Sequence, residues 1–184
     1  MNMKNTRRDF LKTVALAGAG ALVGGNRSPA EAAAPAPAKA GLKVPTRPFG
    51  KTGVEVSILG MGTMYDIINN QINLRKSIER GVTYWDTADC YEGGRSEKGI
   101  GKFFTSHPEA RKEIFLVTKS DARDPAGMDE LLARSLERMQ TDTIDLYFVH
   151  GISNINEMDD NVKAWANRKK KDGQIRFIGF STRK

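Results

Sequence analysis

From residue 46 onward, short apolar runs alternate with stretches whose apolar residues recur at helical spacing. The runs fall at 58–60, 82–85, 114–118, 144–149 and 175–180. Their near-continuous hydrophobicity suits strands covered on both faces, as parallel strands are. Before them, residues 46–57 (TRPFGKTGVEVS) place Gly50 and Gly53 between short extended segments and predict a small N-terminal β-hairpin. Between the runs the period lengthens. Ile155, Met158, Val162 and Trp165 predict one helical stripe, with Asn154 and Glu157 as its capping box. Leu132, Leu136 and Met139 predict a second helix, started by Asp124-Pro125. Ile100, Phe103 and Phe104 form the apolar face of a third, with Ser96 as its expected cap. Strand and helix in alternation predict an α/β fold with a parallel sheet.

The first forty residues follow another pattern. Arg7-Arg8 precedes Asp9, Phe10, Leu11 and Lys12; an Ala/Gly-rich apolar stretch follows at 14–25, then an Ala/Pro-rich segment at 29–40. A basic start, a short apolar middle and small residues at A-x-A spacing read as an export signal. The paired arginines resemble the twin-arginine class. A spanning helix needs roughly 20 apolar residues, more than 14–25 supplies, so no stable membrane span is expected. Cleavage suits either Ala32 or Ala40. Residues 1–40 are thus taken as signal and linker, and 41–184 as the folded part, exported to the periplasm and soluble after cleavage. Gly18, Gly20 and Gly24 do not form a dinucleotide fingerprint, because neither a strand before them nor a helix after them is in place.

This division changes the meaning of the charge. The chain carries a formal +7, but residues 1–44 hold seven Lys/Arg against two Asp/Glu, leaving 22 against 20 for the rest. The body is nearly neutral, which removes the case for a nucleic-acid partner. Lys169-Lys170-Lys171, at the end of a predicted helix, reads as a solvated terminus favoured by the helix dipole. Cys90 is the single cysteine and is expected to be a small packed residue; it excludes an intrachain disulfide and a cysteine-rich metal site. No metal is expected. His107, in a loop after a helix, is expected to be incidental.

Four polar residues fall at or just after strand ends: Asp86, Tyr91 five positions later, Lys119 and His150. Singly, each has an ordinary explanation as a turn cap, a loop aromatic, an exposed lysine and a core histidine. Together they lie where parallel barrels build active sites, at the C-terminal rim.

Here a specific resemblance emerges. Gly81-Val82-Thr83-Tyr84-Trp85-Asp86-Thr87-Ala88 with Tyr91, Ser96-Glu97 and Gly99-Ile100-Gly101 resembles the aldo-keto reductase signature around its catalytic Asp and Tyr. Phe115-Leu116-Val117-Thr118-Lys119 resembles the strand with the family's lysine, and Asp145-Leu146-Tyr147-Phe148-Val149-His150 the one with its histidine. Leu59-Gly60-Met61-Gly62-Thr63 is similar to the first strand, and Gly179-Phe180-Ser181 to the start of the nicotinamide-contacting loop. The resemblance covers 46–184 and implies a TIM (β/α)8-type barrel, incomplete at about five of eight strands.

It implies an NAD(P)H-dependent reduction of aldehydes or ketones, with Tyr91 as general acid, Lys119 favouring the phenolate, Asp86 fixing Lys119, and His150 orienting the carbonyl oxygen. Gly62, Thr63, Asp86, Ser181 and Thr182 are the implied cofactor contacts. Thr182 departs from the Asn often found there in the family. NADP(H) is the implied cofactor, with NAD(H) as the alternative; a small carbonyl compound and the twin-arginine machinery are the implied partners. The family's later strands, with most adenosine contacts, have no counterpart before Lys184. Residues 45–184 alone are therefore expected to bind the dinucleotide weakly and reduce little. An inactive truncated fragment, and a binding subunit that kept the scaffold, are the competing readings.

Overall fold

The computed structural model describes residues 41–182; the expected signal and linker at 1–40 lie outside them, as do Arg183 and Lys184. A two-stranded ribbon comes first: β1 (Thr46–Pro48) pairs antiparallel with β2 (Glu55–Ser57), as the two turn glycines predict. Five strands follow, β3 (Gly60–Gly62), β4 (Tyr84–Asp86), β5 (Phe115–Ser120), β6 (Ile144–Ile152) and β7 (Ile175–Thr182). They form one sheet in sequential order, every neighbouring pair parallel. Helices α1 (Gln71–Glu79), α2 (Arg95–Ser106), α3 (Pro125–Met139) and α4 (Asp160–Lys171) fill the connections. This is the expected partial (β/α) barrel, with the hairpin before it.

Side-chain alternation sorts the strands into two environments. Trp85, Leu116, Tyr147 and Val149 point outward into a core shared with the helices, joined by Phe103, Phe104, Met128, Leu132 and Trp165. Phe115, Val117 and Leu146 point the other way, into a second cluster with Val56. Phe49 of the hairpin enters this cluster, its ring 5.3 Å from Phe115, which also stacks on Tyr84 at 5.4 Å. The hairpin thus closes the apolar lower half of the sheet's inner face. One step higher on that face, the same alternation brings Asp86 after Tyr84, Lys119 after Val117, and His150 after Phe148.

Element starts follow local chemistry, with some departures from expectation. Asp124 caps α3 by accepting from the Gly127 N–H, with Pro125 at the first helical position, as predicted. Ser96 is no cap: Gly94, at φ 86°, stands before α2, and the Ser96 hydroxyl is buried against Thr63 and Thr87. The first strand of the sheet starts at Gly60, two residues later than expected. Ile58 and Leu59 are exposed, because Ser57 Oγ reaches forward to Leu59 O and takes the Thr83 and Tyr84 N–H groups.

The stripe from Ile155 to Trp165 is two elements. Asn154 and Glu157 do form a capping box, but on a 3₁₀ turn, Ile155–Glu157. Asp159 then accepts from the Val162 N–H and starts α4 afresh, leaving Ile155 exposed. Helix α1, absent from the sequence reading, is anchored mainly by buried Leu74. The basic run at 169–171 closes α4 as expected, with Lys169 ion-paired to Asp129 at 2.7 Å.

Helices α2 and α3 cross so closely that a side chain on Gly101 would strike the Arg138 carbonyl oxygen. Gly101→Ala is expected to lower stability by about 1–3 kcal/mol through overpacking, read as a fall in the denaturation midpoint with unchanged far-UV circular dichroism. A midpoint equal to the parent's would show that the helices separate freely.

The Glu157 carboxylate receives Arg123 Nε at 2.6 Å and the Ser153 and Asn154 N–H groups at 2.7 and 2.9 Å. The Arg123 hydrogen bond, then those backbone donors, hold its carboxyl down at about 2, from an ordinary 4.5. A carboxyl lowered on folding stabilises the fold above its unfolded value, and the effect is lost as pH falls through the folded one. The Ser153 and Asn154 amide resonances should therefore move near pH 2. A midpoint near the ordinary value would mean that the turn is not held by Glu157.

Candidate active site

The inner face meets the upper rim at a buried lysine. Lys119 is 6% exposed, and its ammonium has three protons to place. One goes to Asp86 Oδ1 at 2.5 Å, one to the Thr87 carbonyl at 2.8 Å, and the third to Tyr91 Oη at 3.3 Å. The same nitrogen lies 4.8 Å from the centre of the Tyr91 ring. The Tyr91 ring in turn meets the His150 ring nearly edge-on, at 82° and 6.4 Å between centroids. The structure thus brings Asp86, Tyr91, Lys119 and His150 together at one place.

Each residue is aimed by backbone that the flanking sequence shapes. Beyond Asp86, the chain stays stitched to β5: Thr87 N–H donates to Val117 O and Asp89 N–H to Lys119 O. Tyr91 then opens a tight turn in which Glu92, Gly93 and Gly94 all have positive φ, at 51°, 62° and 86°. Two glycines make this affordable, since L side chains resist that region. His150 does not end its strand as expected. β6 continues through Gly151, at φ 64°, to Ile152, and its register against β7 shifts between Val149 and Ile152.

The expected cofactor contacts divide. The Ser181 hydroxyl lies 3.0 Å from His150 Nδ1 and accepts the Gly151 N–H at 2.8 Å, so it belongs to the cluster. Thr182, beside it, is exposed. Gly62 is exposed, with nothing within 4 Å of where a Cβ would sit. Thr63 is fully buried; both its hydroxyl and its N–H donate to the Asp86 carbonyl, tying β3 to the strand end that carries Asp86.

Several supporting residues escaped the sequence reading. Glu97, quoted only as part of a motif, is fully buried and accepts from Thr118 Oγ1 at 2.7 Å and Arg138 at 3.2 Å. Burial pushes its carboxyl up, against the pull of Ser135, Thr118 and Arg138. Arg138 also donates to the Asp89 carbonyl, and Arg134 to the Asp89 carboxylate, each at 3.0 Å. These two arginines brace the loop holding Tyr91 from behind. Arg123 binds the His150 carbonyl at 2.7 Å and the Asp121 carbonyl at 2.8 Å, linking the ends of β5 and β6. Spacing gives no signal for such long-range partners; only the charge of the arginines was visible.

Two other residues near the cluster are set apart. Burial, then the Asp86 charge, pushes the Tyr84 phenol up to about 12, so Tyr84 keeps its proton. Cys90 is exposed, not packed as expected, because the loop turns it outward from between Asp89 and Tyr91. Desolvation, then Asp89 and Asp121, pushes its thiol up, which opposes thiolate formation. His107 stacks on Phe103 at 4.5 Å between ring centres, away from the cluster.

Residues 62–184 match the model of the aldo/keto reductase family. An uncharacterised oxidoreductase of Bacillus subtilis, YqkF, is 33% identical over 153 residues, covering 74% of this chain and 48% of its own. The Schizosaccharomyces pombe aldo-keto reductase yakc, whose name carries NADP(+), is 32% identical over 76% of this chain and 46% of its own. The chain spans about half the length of the curated relatives it matches. Among solved structures, the holo form of an aldo-keto reductase from Bacillus halodurans superposes with a TM-score of 0.68 at 31% identity, covering 77% of this chain and 50% of that one. With the rim cluster in the motif positions and a family match across most of its length, this chain belongs to the aldo/keto reductase family.

Proposed function

We propose that the rim cluster reduces the carbonyl group of a small aldehyde or ketone, using a reduced nicotinamide cofactor, NADP(H) before NAD(H). The observation that carries this reading is the Lys119 ammonium, spread over Asp86, Thr87 O and Tyr91 Oη. A structural lysine needs acceptors, but not a phenol oxygen among them at a strand-end rim. The relatives named for oxidoreductase activity, one of them for NADP(+), support the cofactor.

The residues present fit the nicotinamide end of such a cofactor. Uncharged hydroxyls at Ser181 and Thr182, and the open space at Gly62, suit a neutral carboxamide and ring. When bound, the cofactor supplies the hydride. The protein's part is the proton. Tyr91 Oη gives its proton to the oxygen of the carbonyl being reduced, and Lys119 stabilises the phenolate left behind. Asp86 neutralises Lys119 and fixes its direction, so the ammonium stays within reach of Oη. His150, beside the phenol, holds the carbonyl oxygen in line for that proton. Metal coordination plays no part in this scheme.

Tyr91→Phe keeps the ring and its packing but removes the proton. In a reductase of full length, assayed with a reduced nicotinamide and a simple aldehyde, turnover should fall about 10²–10⁴-fold in the variant. Cofactor affinity, measured by fluorescence titration, should hold steady. Undiminished turnover would sink the proposal. A loss of cofactor affinity equal to the loss of turnover would assign Tyr91 to binding instead.

The proposal extends to location. Arg7-Arg8 and the weakly apolar stretch after them support export through the twin-arginine route, which carries folded proteins and would suit one that takes up its cofactor first. Replacing both arginines with lysine should abolish the periplasmic signal on cell fractionation; an undiminished signal would exclude the route.

A further inference from the structure

We infer that Ser181 is the positioning residue of His150, and that its hydroxyl donates to Nδ1 and so places the ring proton on Nε2. The inference rests on the reading that His150 faces a carbonyl oxygen, but its evidence is the local hydrogen bonding. Ser181 is on the inner face of β7, following Phe177 and Gly179 at every second position. Its Oγ has two partners among the described residues, the Gly151 N–H at 2.8 Å and His150 Nδ1 at 3.0 Å.

The first partner has a fixed direction. An amide N–H can only donate, so one lone pair of Oγ is filled. The Gly151 N–H reaches a side-chain oxygen because the strand is irregular there. Gly151 has φ 64°, and the β6–β7 register shifts between Val149 and Ile152. Such irregularities re-aim groups at the rims of barrels.

The second partner can run either way. A serine hydroxyl has one proton and two lone pairs. If Nδ1 donated, both lone pairs would be filled and the hydroxyl proton would need a third partner. If the hydroxyl donates, the Gly151 N–H, Ser181 O–H and His150 Nδ1 form one chain of donors and acceptors. Each bond in it polarises the next. The ring is then the Nε2–H tautomer, and Oγ retains a lone pair.

The consequence is functional. A neutral histidine donates from one nitrogen only, and the bond at the other nitrogen decides which. With Nδ1 occupied as an acceptor, Nε2 is the nitrogen that carries the neutral ring's donor proton. The retained Oγ lone pair can accept from a carboxamide N–H. Ser181 would then touch both the cofactor and the group that orients the substrate.

The experiment is nitrogen NMR on the full chain labelled at histidine, at a pH where the rings are neutral. The chain has two histidines, so His107→Gln assigns the signals. The parent should show widely separated His150 nitrogens, with Nδ1 unprotonated and Nε2 protonated. In Ser181→Ala the two shifts should converge toward the averaged values of a free imidazole side chain, which exchanges between tautomers. Ser181→Thr, which keeps the hydroxyl on a residue suited to a strand, should restore the separation. A protonated Nδ1 in the parent overturns the inference without any variant, as does a folded Ser181→Ala protein with unchanged shifts. The reading needs neither cofactor nor turnover. An inactive protein with the Nε2–H pattern would remove the reductase proposal and leave this assignment standing.

Discussion

A buried ammonium with its three protons directed at three oxygens is the constraint around which the upper half of this structure is arranged. Removing one partner from a buried ion pair typically costs about 3–5 kcal/mol, because the remaining charge is left without compensation. Lys119 therefore needs Asp86 in place, and the Thr87 carbonyl and the Tyr91 oxygen take its other two protons. Two of them belong to the chain leaving β4, and the third to the turn just beyond. The need to satisfy Lys119 and the need to bring Tyr91 to it are met by the same bend of backbone.

That bend is supported from two sides. On the β3 side, Thr63 holds the Asp86 carbonyl, and Ser96 holds Thr63. On the helix side, Arg138 spans buried Glu97 and the Asp89 carbonyl, while Arg134 meets the Asp89 carboxylate. Gly94 lets Arg138 approach, since a Cβ there would stand 2.6 Å from the guanidinium. Charged groups away from the reacting atoms thus set the loop that presents the phenol. His150 is held by comparable means, its carbonyl by Arg123 and its ring by Ser181.

Much of this was legible beforehand because the information is local or periodic. Alternation within FLVTK and LYFVH puts Lys119 and His150 on the face of Val117 and Phe148, and strand order puts those faces side by side. The Asp124-Pro125 start of α3 and the Asn154/Glu157 box are likewise contained in a few consecutive residues. The failures occurred where a competing local bond or a distant partner decided. Asp159 recapped the chain and split one expected helix. The Ser57 hydroxyl delayed β3, and Ser96 turned inward to Thr63 rather than capping α2. Cys90 faces solvent although its small size suggested packing.

The sequence by itself determined the α/β alternation, the order of the strands, the hairpin before them, and which four polar residues gather near the C-terminal ends of the strands, because these depend on period and spacing. Only the tertiary structure decided that Lys119 uses all three protons, that Glu97 and two arginines brace the Tyr91 loop, and that Ser181 bonds to the His150 ring. Those contacts join residues up to 49 positions apart. Their geometry depends on how strands and helices pack, and the order of residues along one chain carries no direct record of that.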